Sequence, residues 1–183
     1  RRQRQMCIRD RNNPMRRVVV TGLGVISSIG NDAFKVTENL KNGVSGIAHN
    51  PEMQEHGFKS QIAGAIDLNV VDQIEKRTLR FMGLGAAYAF IAMEQAIADA
   101  DLSEADVSNP RTGLVAGSGG PSTSAMLVAH QTVLKSGTPK RIGPFAVPKC
   151  MSSTISANLS TAFKIKGINS VSYTHLRAHE TST

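Results

Sequence analysis

Of the two cysteines in this sequence, Cys150 is the one whose predicted surroundings suit nucleophilic chemistry. A helix is predicted over 150–163, and the positive end of its dipole would stabilise a thiolate at its first residue. A cysteine nucleophile also needs a base, and no neighbouring His or Asn completes such a set in the sequence. A small buried side chain is therefore the favoured interpretation of Cys150. Because Cys7 and Cys150 lack the spacing of metal ligands, the sequence indicates reduced thiols in a cytoplasmic protein.

Five histidines offer a second source of chemistry. His175 and His179 are four residues apart, a spacing that places two imidazoles on one helix face as a metal pair would require. A third ligand is missing, so no metal site is predicted, and the pair is attributed to a tail that does not belong to the domain. His130, in the middle of a predicted helix, is interpreted as a solvent-facing or hydrogen-bonded histidine and not as a catalytic one, and His49 and His56 have no identifiable partner.

Two glycine-rich turns could bring the backbone close to a ligand. The Gly-Leu-Gly at 22–24 follows a β-branched run at 18–20, but Ser27 stands where a dinucleotide-binding turn needs its third glycine. The Gly-Ser-Gly-Gly at 117–120 lacks the Lys followed by Ser or Thr of a phosphate-binding loop. Both are predicted to be turns that use glycine conformations, and 117–120 could instead line a ligand tunnel. No cofactor is predicted.

The elements that must position these residues follow from hydrophobic period and capping signals. Strands are expected at 18–20, 59–66, 113–117 and from 168, with helices at 31–42, 70–79, 83–100, 122–135 and 150–163 and irregular segments at 44–58 and 136–148. This alternation favours a layered α/β domain with a largely parallel sheet. Phe34 and Leu40 are expected on the inner face of the first helix, and Phe90, Met93 and Ile97 on that of the helix at 83–100.

The formal charge of +7 is concentrated at the start of the chain. Five arginines and one aspartate in 1–14 account for +4 of it, which leaves +3 for the other residues. This distribution argues against a nucleic-acid-binding protein, although a modest positive patch can dock an acidic partner. No apolar run is long enough to span a membrane. Residues 1–14 and 170–183 lack the hydrophobic period of the rest and are predicted to be a non-native or disordered leader and tail.

Four blocks in order resemble the β-ketoacyl-acyl-carrier-protein synthases, in their synthase I branch. They are MRRVVVTGLGVISSIG at 15–30, LRFMGLGAAYAFIAMEQAIADA at 79–100, RTGLVAGSGG at 111–120 and IGPFAVPKCMSSTISANLSTAFKIKGIN at 142–169. The resemblance implies a thiolase-like fold of two similar α/β halves, each with a sheet between helices, in a homodimer. It also implies that residues 15–169 form most of the first half only.

The same resemblance implies an acyltransferase of fatty-acid biosynthesis that performs decarboxylative Claisen condensation. Its partner is the acyl carrier protein, which presents acyl and malonyl thioesters, and no cofactor is used. A Cys thiolate accepts the acyl group, and two histidines and a backbone oxyanion hole assist the later steps. The location implied is the cytoplasm.

Two positions of this sequence can be matched to the family's binding elements. Gly120 matches the loop position that borders the acyl pocket, and Met151 matches the residue that reaches across the dimer interface to line the partner's pocket. The nucleophile is expected seven residues after Asn169, where this sequence has Leu176. The chain is therefore predicted to be an inactive, poorly stable N-terminal fragment with no catalytic residue. The alternative is a non-catalytic dimerisation or chain-length partner of a condensing enzyme.

Overall fold

The computed structural model describes residues 17–171, which form helices around a small apolar core with two short sheets. In chain order the elements are α1 Ala33–Lys41, β1 Ile47–His49, α2 Pro51–Glu55, β2 Ile62–Gly64, α3 Lys76–Leu79, α4 Leu84–Asp99, α5 Glu104–Val107, β3 Leu114–Ala116, α6 Thr123–Ser136, α7 Ala146–Cys150, α8 Thr154–Ala162 and β4 Asn169–Val171, with 3-10 turns at Val70–Asp72 and Pro139–Arg141. None of the helices in the described part is long and apolar enough to cross a bilayer.

Helix α1 begins and ends where its capping residues predict. The Asp32 side chain accepts a hydrogen bond from the Lys35 amide at 2.7 Å, and Gly43 follows the helix with φ +65°. The predicted inner face is wrong, because Phe34 is 79% exposed and Leu40 is 65% exposed. No other part of the described chain packs on that side of α1 closely enough to bury either side chain.

The β-branched run Val18–Val20 is not the buried strand that its composition predicts. It pairs with no other described strand, and its three side chains are 63–92% exposed. The glycines just after it lie against α4 instead, so close that a Cβ on Gly22 or Gly24 would collide with backbone carbonyls of that helix. Since a strand gains stability only from paired neighbours, β-propensity alone does not form one here.

Helix α4 is the centre of the core, and its predicted bounds are confirmed to within one residue at each end. Its buried residues are Ala86, Ala87 and Ile91, which pack with Val70, Ile74 and Met82 from the preceding turns. The predicted inner residues Phe90, Met93 and Ile97 are only half-buried and flank this face. Small alanine side chains let neighbouring segments approach α4 more closely than a large apolar stripe would.

The two sheets are of opposite type. Strand β3 pairs in parallel with β4, Leu114 opposite Asn169, as the strand–helix order predicts. Strands β1 and β2 form an antiparallel pair, so segment 44–58 is not wholly irregular and the predicted edge strand at 59–66 is shorter than expected. Helix α8 lies between α4 and β3, and its buried Ser156 donates a hydrogen bond to the Asn169 side chain in β4.

Candidate functional site

Three helix ends meet at one point of the fold and form the frame of the candidate site. The Ser122 amide, at the N-cap of α6, donates to the Cys150 carbonyl at the end of α7 at 2.9 Å. Gly83 is the N-cap of α4, and a Cβ there would lie 2.9 Å from the Lys149 carbonyl and 3.1 Å from Ser122 Cβ. Glycine at position 83 therefore allows the start of α4 to contact α6 and α7.

A hydroxyl-lined cavity of about 210 Å³ opens beside this junction. Its hydroxyl groups belong to Ser118, Ser122, Thr123, Ser124, Ser152 and Thr154. Gly83 makes no side-chain capping bond, and Gly85 and Ala86, in the first turn of α4, line the same cavity. The cavity is consequently rich in hydrogen-bond donors.

A second cavity of about 360 Å³ adjoins the first, between the start of α4 and the length of α6. Its apolar lining comes mainly from Val70, Leu79, Met82, Leu84, Val128 and Ile142. Both cavities share Gly83, Ser122, Ser124 and Lys149 in their linings, so a polar cavity and an apolar cavity lie side by side. Such a pair of cavities suits an amphiphilic ligand.

Gly120 and Met151, which the sequence places far apart, both line the polar cavity. A Cβ on Gly120 would meet nothing within 4 Å, and the loop is held by the Ser118 hydroxyl, which donates to the Gly120 carbonyl at 2.9 Å. No residue of loop 117–120 has a positive φ. Gly120 leaves room beside the cavity, which favours the ligand-lining alternative over a turn that needs glycine conformations.

The structure corrects the prediction for Cys150. The predicted helix over 150–163 is broken by Met151, whose ψ of 135° separates α7 from α8, and Cys150 is the last residue of α7. Cys150 therefore does not begin a helix, which removes the basis of the nucleophile alternative that the sequence analysis already disfavoured. Cys150 is a half-buried free thiol and lines neither cavity.

The remaining candidates from the sequence are spread apart. His49, His56 and His130 are all exposed, which confirms the solvent-facing prediction for His130. No three His, Cys, Asp or Glu side chains come together as a metal site within residues 17–171. His175 and His179 lie outside the described residues. Neither Gly22 nor Gly24 has a positive φ, so both serve close packing on α4 and not a turn conformation.

The titratable groups with shifted pKa values lie away from the two cavities. Partial burial on α4 raises the pKa of Glu94 above its ordinary value. The Lys164 ammonium, which donates to Glu104 at 2.7 Å, lowers the pKa of that carboxyl, and the pKa of Lys164 is raised in turn. Both partners of this pair are on the surface, where solvent screens the attraction.

Comparison with known families identifies the family to which the chain belongs. The family model of the β-ketoacyl synthase N-terminal domain matches residues 15–175. The chain belongs to the β-ketoacyl synthase family. This confirms the family resemblance carried by the four sequence blocks.

Curated relatives within the family agree with this membership. The 3-oxoacyl-acyl-carrier-protein synthase 1 of Haemophilus influenzae is 50% identical over 155 residues, which are 85% of this chain and 38% of the relative. Its counterpart in Escherichia coli K12 is 44% identical over 156 residues, with the same shares of 85% and 38%. The synthase 2 of Staphylococcus aureus is 32% identical over 160 residues, 87% of this chain and 38% of that protein. This β-ketoacyl synthase chain thus spans less than two fifths of these relatives.

Solved structures confirm the thiolase-like ketosynthase fold. The ishigamide ketosynthase/chain length factor matches with a TM-score of 0.73 and 27% identity over 85% of this chain and 39% of that one. A β-ketoacyl synthase from Burkholderia phymatum matches with a TM-score of 0.70 and 27% identity over 86% and 39%. A type II polyketide ketosynthase in complex with its acyl-carrier protein gives a TM-score of 0.60 at 20% identity, over 83% and 40%, and supports the fold alone.

Sequence reasoning missed two residues of the site, Gly83 and Lys149. Gly83 directly follows the block Arg80-Phe81-Met82 and precedes the Ala-rich helix, a place where glycine at an N-cap can be recognised. Lys149 lies between the predicted loop at 136–148 and the predicted helix at 150–163, and nothing local marks it. Its place between the two cavities depends on how α7 packs against α4 and α6.

Proposed function

We propose that this chain is part of a β-ketoacyl-acyl-carrier-protein synthase of fatty-acid biosynthesis, a cytoplasmic acyltransferase. The observation that carries the proposal is the match of 15–175 to the family's N-terminal domain, with 44–50% identity to two synthases named 3-oxoacyl-acyl-carrier-protein synthase 1. The reaction joins an enzyme-bound acyl group to the malonyl α-carbon. The malonyl C–CO₂ bond breaks with release of CO₂, and the electron pair of that bond forms the new C–C bond to the acyl carbonyl carbon. The acyl–sulfur bond to the enzyme then breaks, and the cysteine leaves as a thiolate.

Within such an enzyme, residues 15–169 would supply binding elements. Gly120 would border the acyl pocket, which agrees with the open space around its Cα and with its place in the cavity wall. Met151 would reach the pocket of a second subunit in a homodimer, and its 51% exposed side chain is accessible for that contact. Residues 1–14 are proposed to lie outside the domain, and so is the end of the chain beyond β4 and beyond the family match, which extends to residue 175.

The chemistry would not come from this chain by itself. Seven residues after Asn169 the sequence has Leu176 in place of the nucleophilic Cys. Cys150 is a poor substitute because it lies at the carboxyl end of α7 and lines neither cavity. We therefore propose that the chain neither accepts an acyl group nor condenses it with malonyl thioester.

An acyl carrier protein is the proposed partner, and a basic cluster around α3 supports it. Lys76, Arg77 and Arg80 are all exposed, and the Arg80 guanidinium is held 5.0 Å from the Phe81 ring centre and 5.1 Å from that of Phe145. A guanidinium held on two rings loses less side-chain entropy when it binds a carboxylate or phosphate. A structural neighbour is described in complex with its acyl-carrier protein.

A chimera tests membership in an active synthase. Residues 15–169 of this chain replace the matching segment of the Haemophilus influenzae relative, which keeps its own remaining residues. We expect β-ketoacyl product from acyl and malonyl thioesters of acyl carrier protein, whereas the chain 1–183 alone gives no product and no acyl mass increase. A folded but inactive chimera would contradict the proposed function, and acylation of the chain alone would contradict its proposed inactivity.

One observation favours a second candidate, a non-catalytic chain-length or dimerisation partner. The neighbour with a TM-score of 0.73 is a ketosynthase/chain length factor, and Leu176 replaces the expected nucleophile here. This candidate predicts that the chain forms a stable complex with a catalytic ketosynthase and changes its product length. Size-exclusion chromatography of the mixture, followed by product analysis, distinguishes it from the first candidate.

A further inference from the structure

A buried hydroxyl group joins helix α8 to strand β4. Ser156 is 2% exposed, and its side chain donates to the side-chain oxygen of Asn169, the first residue of β4. A buried hydroxyl without an acceptor destabilises a fold, whereas a pair of apolar side chains of the same shape would pack there at nearly no cost. Packing alone therefore does not require this polar pair, and its directional bond holds β4 at one position along α8.

The position of β4 matters because this strand ends beside the polar cavity. Val171, its last residue, pairs in parallel with Ala116, where β3 leads into loop 117–120 of the cavity wall. Thr154, in the first turn of α8 and two residues before Ser156, lines the same cavity. A slip of β4 by one residue would move its end by about 3.3 Å. The slip would also turn each of its side chains to the other face of the sheet.

We propose that Ser156 is a positioning residue for the nucleophile of the complete synthase. By holding Asn169 it fixes the register of β4, and thereby the place at which the cysteine expected seven residues after Asn169 meets the polar cavity. This inference rests on the proposed function, because Leu176 stands at that position here. A misplacement of about 1 Å at a reacting group can lower a rate about a hundredfold, so loss of the bond should reduce turnover and leave substrate binding unchanged.

Thermal unfolding of the chain 1–183 tests the bond itself. Ser156→Ala and Asn169→Leu should each lower Tm, and the double variant should fall no further than the less stable single variant, because no bond is left to remove. Asn169→Asp keeps an acceptor oxygen and should stay near the unchanged chain. The matched control is Ser160→Ala, whose hydroxyl bonds within α8 to the Ala157 carbonyl at 3.1 Å. Additive falls in Tm would overturn the proposal at this first step.

Turnover of the chimera, which contains both residues, tests the positioning role. Ser156→Ala and Asn169→Leu should lower kcat about tenfold or more, with KM for the carrier-protein thioesters changed less than about twofold. Asn169→Asp and Ser160→Ala should retain the kcat of the unchanged chimera. A lower Tm with an unchanged kcat would show a structural role only and overturn the proposal.

Alkylation of the chimera's nucleophilic thiol by iodoacetamide separates this proposal from the proposed function. Peptide mass spectrometry distinguishes that thiol from Cys150, and the rate is measured as a function of pH. A displaced thiol loses the neighbours that lower its pKa, so the profile of Ser156→Ala should move to higher pH. The measurement needs a folded chimera but no condensation, so it decides the proposal even where the chimera forms no product. Identical profiles for Ser156→Ala and the unchanged chimera would overturn it.

Discussion

Substitution of Gly24 by alanine tests the contact that replaces the predicted first strand. A Cβ at this position would overlap the backbone carbonyl of Ala92, which is held in the hydrogen-bond ladder of α4 and cannot rotate away. The segment must move off the helix, which weakens the bond from the Val25 amide to the Gln95 side chain at 3.1 Å. Overpacking of this kind lowers the free energy of unfolding by about 1–3 kcal/mol.

Gly85→Ala is the matched control for Gly24→Ala, since both add one methyl group. Gly85 lies in the first turn of α4, and a Cβ there would meet nothing within 4 Å. Alanine is favoured over glycine in helices by up to about 1 kcal/mol, so this variant should be neutral or more stable.

Thermal unfolding of the chain, followed by circular dichroism, gives the readout for both variants. For a chain of this length, 1 kcal/mol changes Tm by about 2–4 °C. Gly24→Ala should therefore lower Tm by roughly 2–12 °C, whereas Gly85→Ala should leave it or raise it by a few degrees. If Gly24→Ala unfolds at the same temperature as the unchanged chain, segment 17–26 does not pack on α4 as described.

Three further substitutions test local features of the fold. Gln95→Leu removes both hydrogen bonds that hold segment 25–31 on α4, at 3.1 and 2.7 Å, and should lower the free energy of unfolding by about 1–3 kcal/mol in a denaturant titration. Ser103→Ala removes the hydroxyl bond that, together with the Ser103 amide, lowers the pKa of Asp106, so NMR titration should show that pKa rising toward its ordinary value. The lowered pKa of Asp106 stabilises the fold above the ordinary carboxyl pKa, and this stabilisation is lost as pH falls through the folded pKa. Ser103→Ala should therefore lose more stability relative to the unchanged chain at neutral pH than in acid, where only the loss of the cap bond from the Asp106 amide remains. Phe34→Ser should leave Tm within about 1 °C, since that side chain is 79% exposed, and a large fall would show that it is buried.

The helices that the sequence predicted well are those specified by local signals. Asp32 caps α1, Ser122 caps α6, and Gly137 ends α6 with φ +66°. Each of these signals acts through hydrogen bonds or backbone angles within a few residues, so no distant contact is needed to recognise them. The same holds for α4, whose alanine-rich composition favours a helix wherever it is placed.

Amino-acid sequence alone determined the family and the positions of these helices, and the family resemblance supplied Gly120 and Met151 as candidate binding positions. Tertiary structure decided which surfaces are buried, because burial depends on what packs against an element: Phe34 is exposed, and Val18–Val20 finds no paired strand among the described residues. It also decided that Cys150 ends a helix and that Lys149 lies between a polar and an apolar cavity. Three separate helix ends create that junction, and no spacing along the chain encodes their meeting.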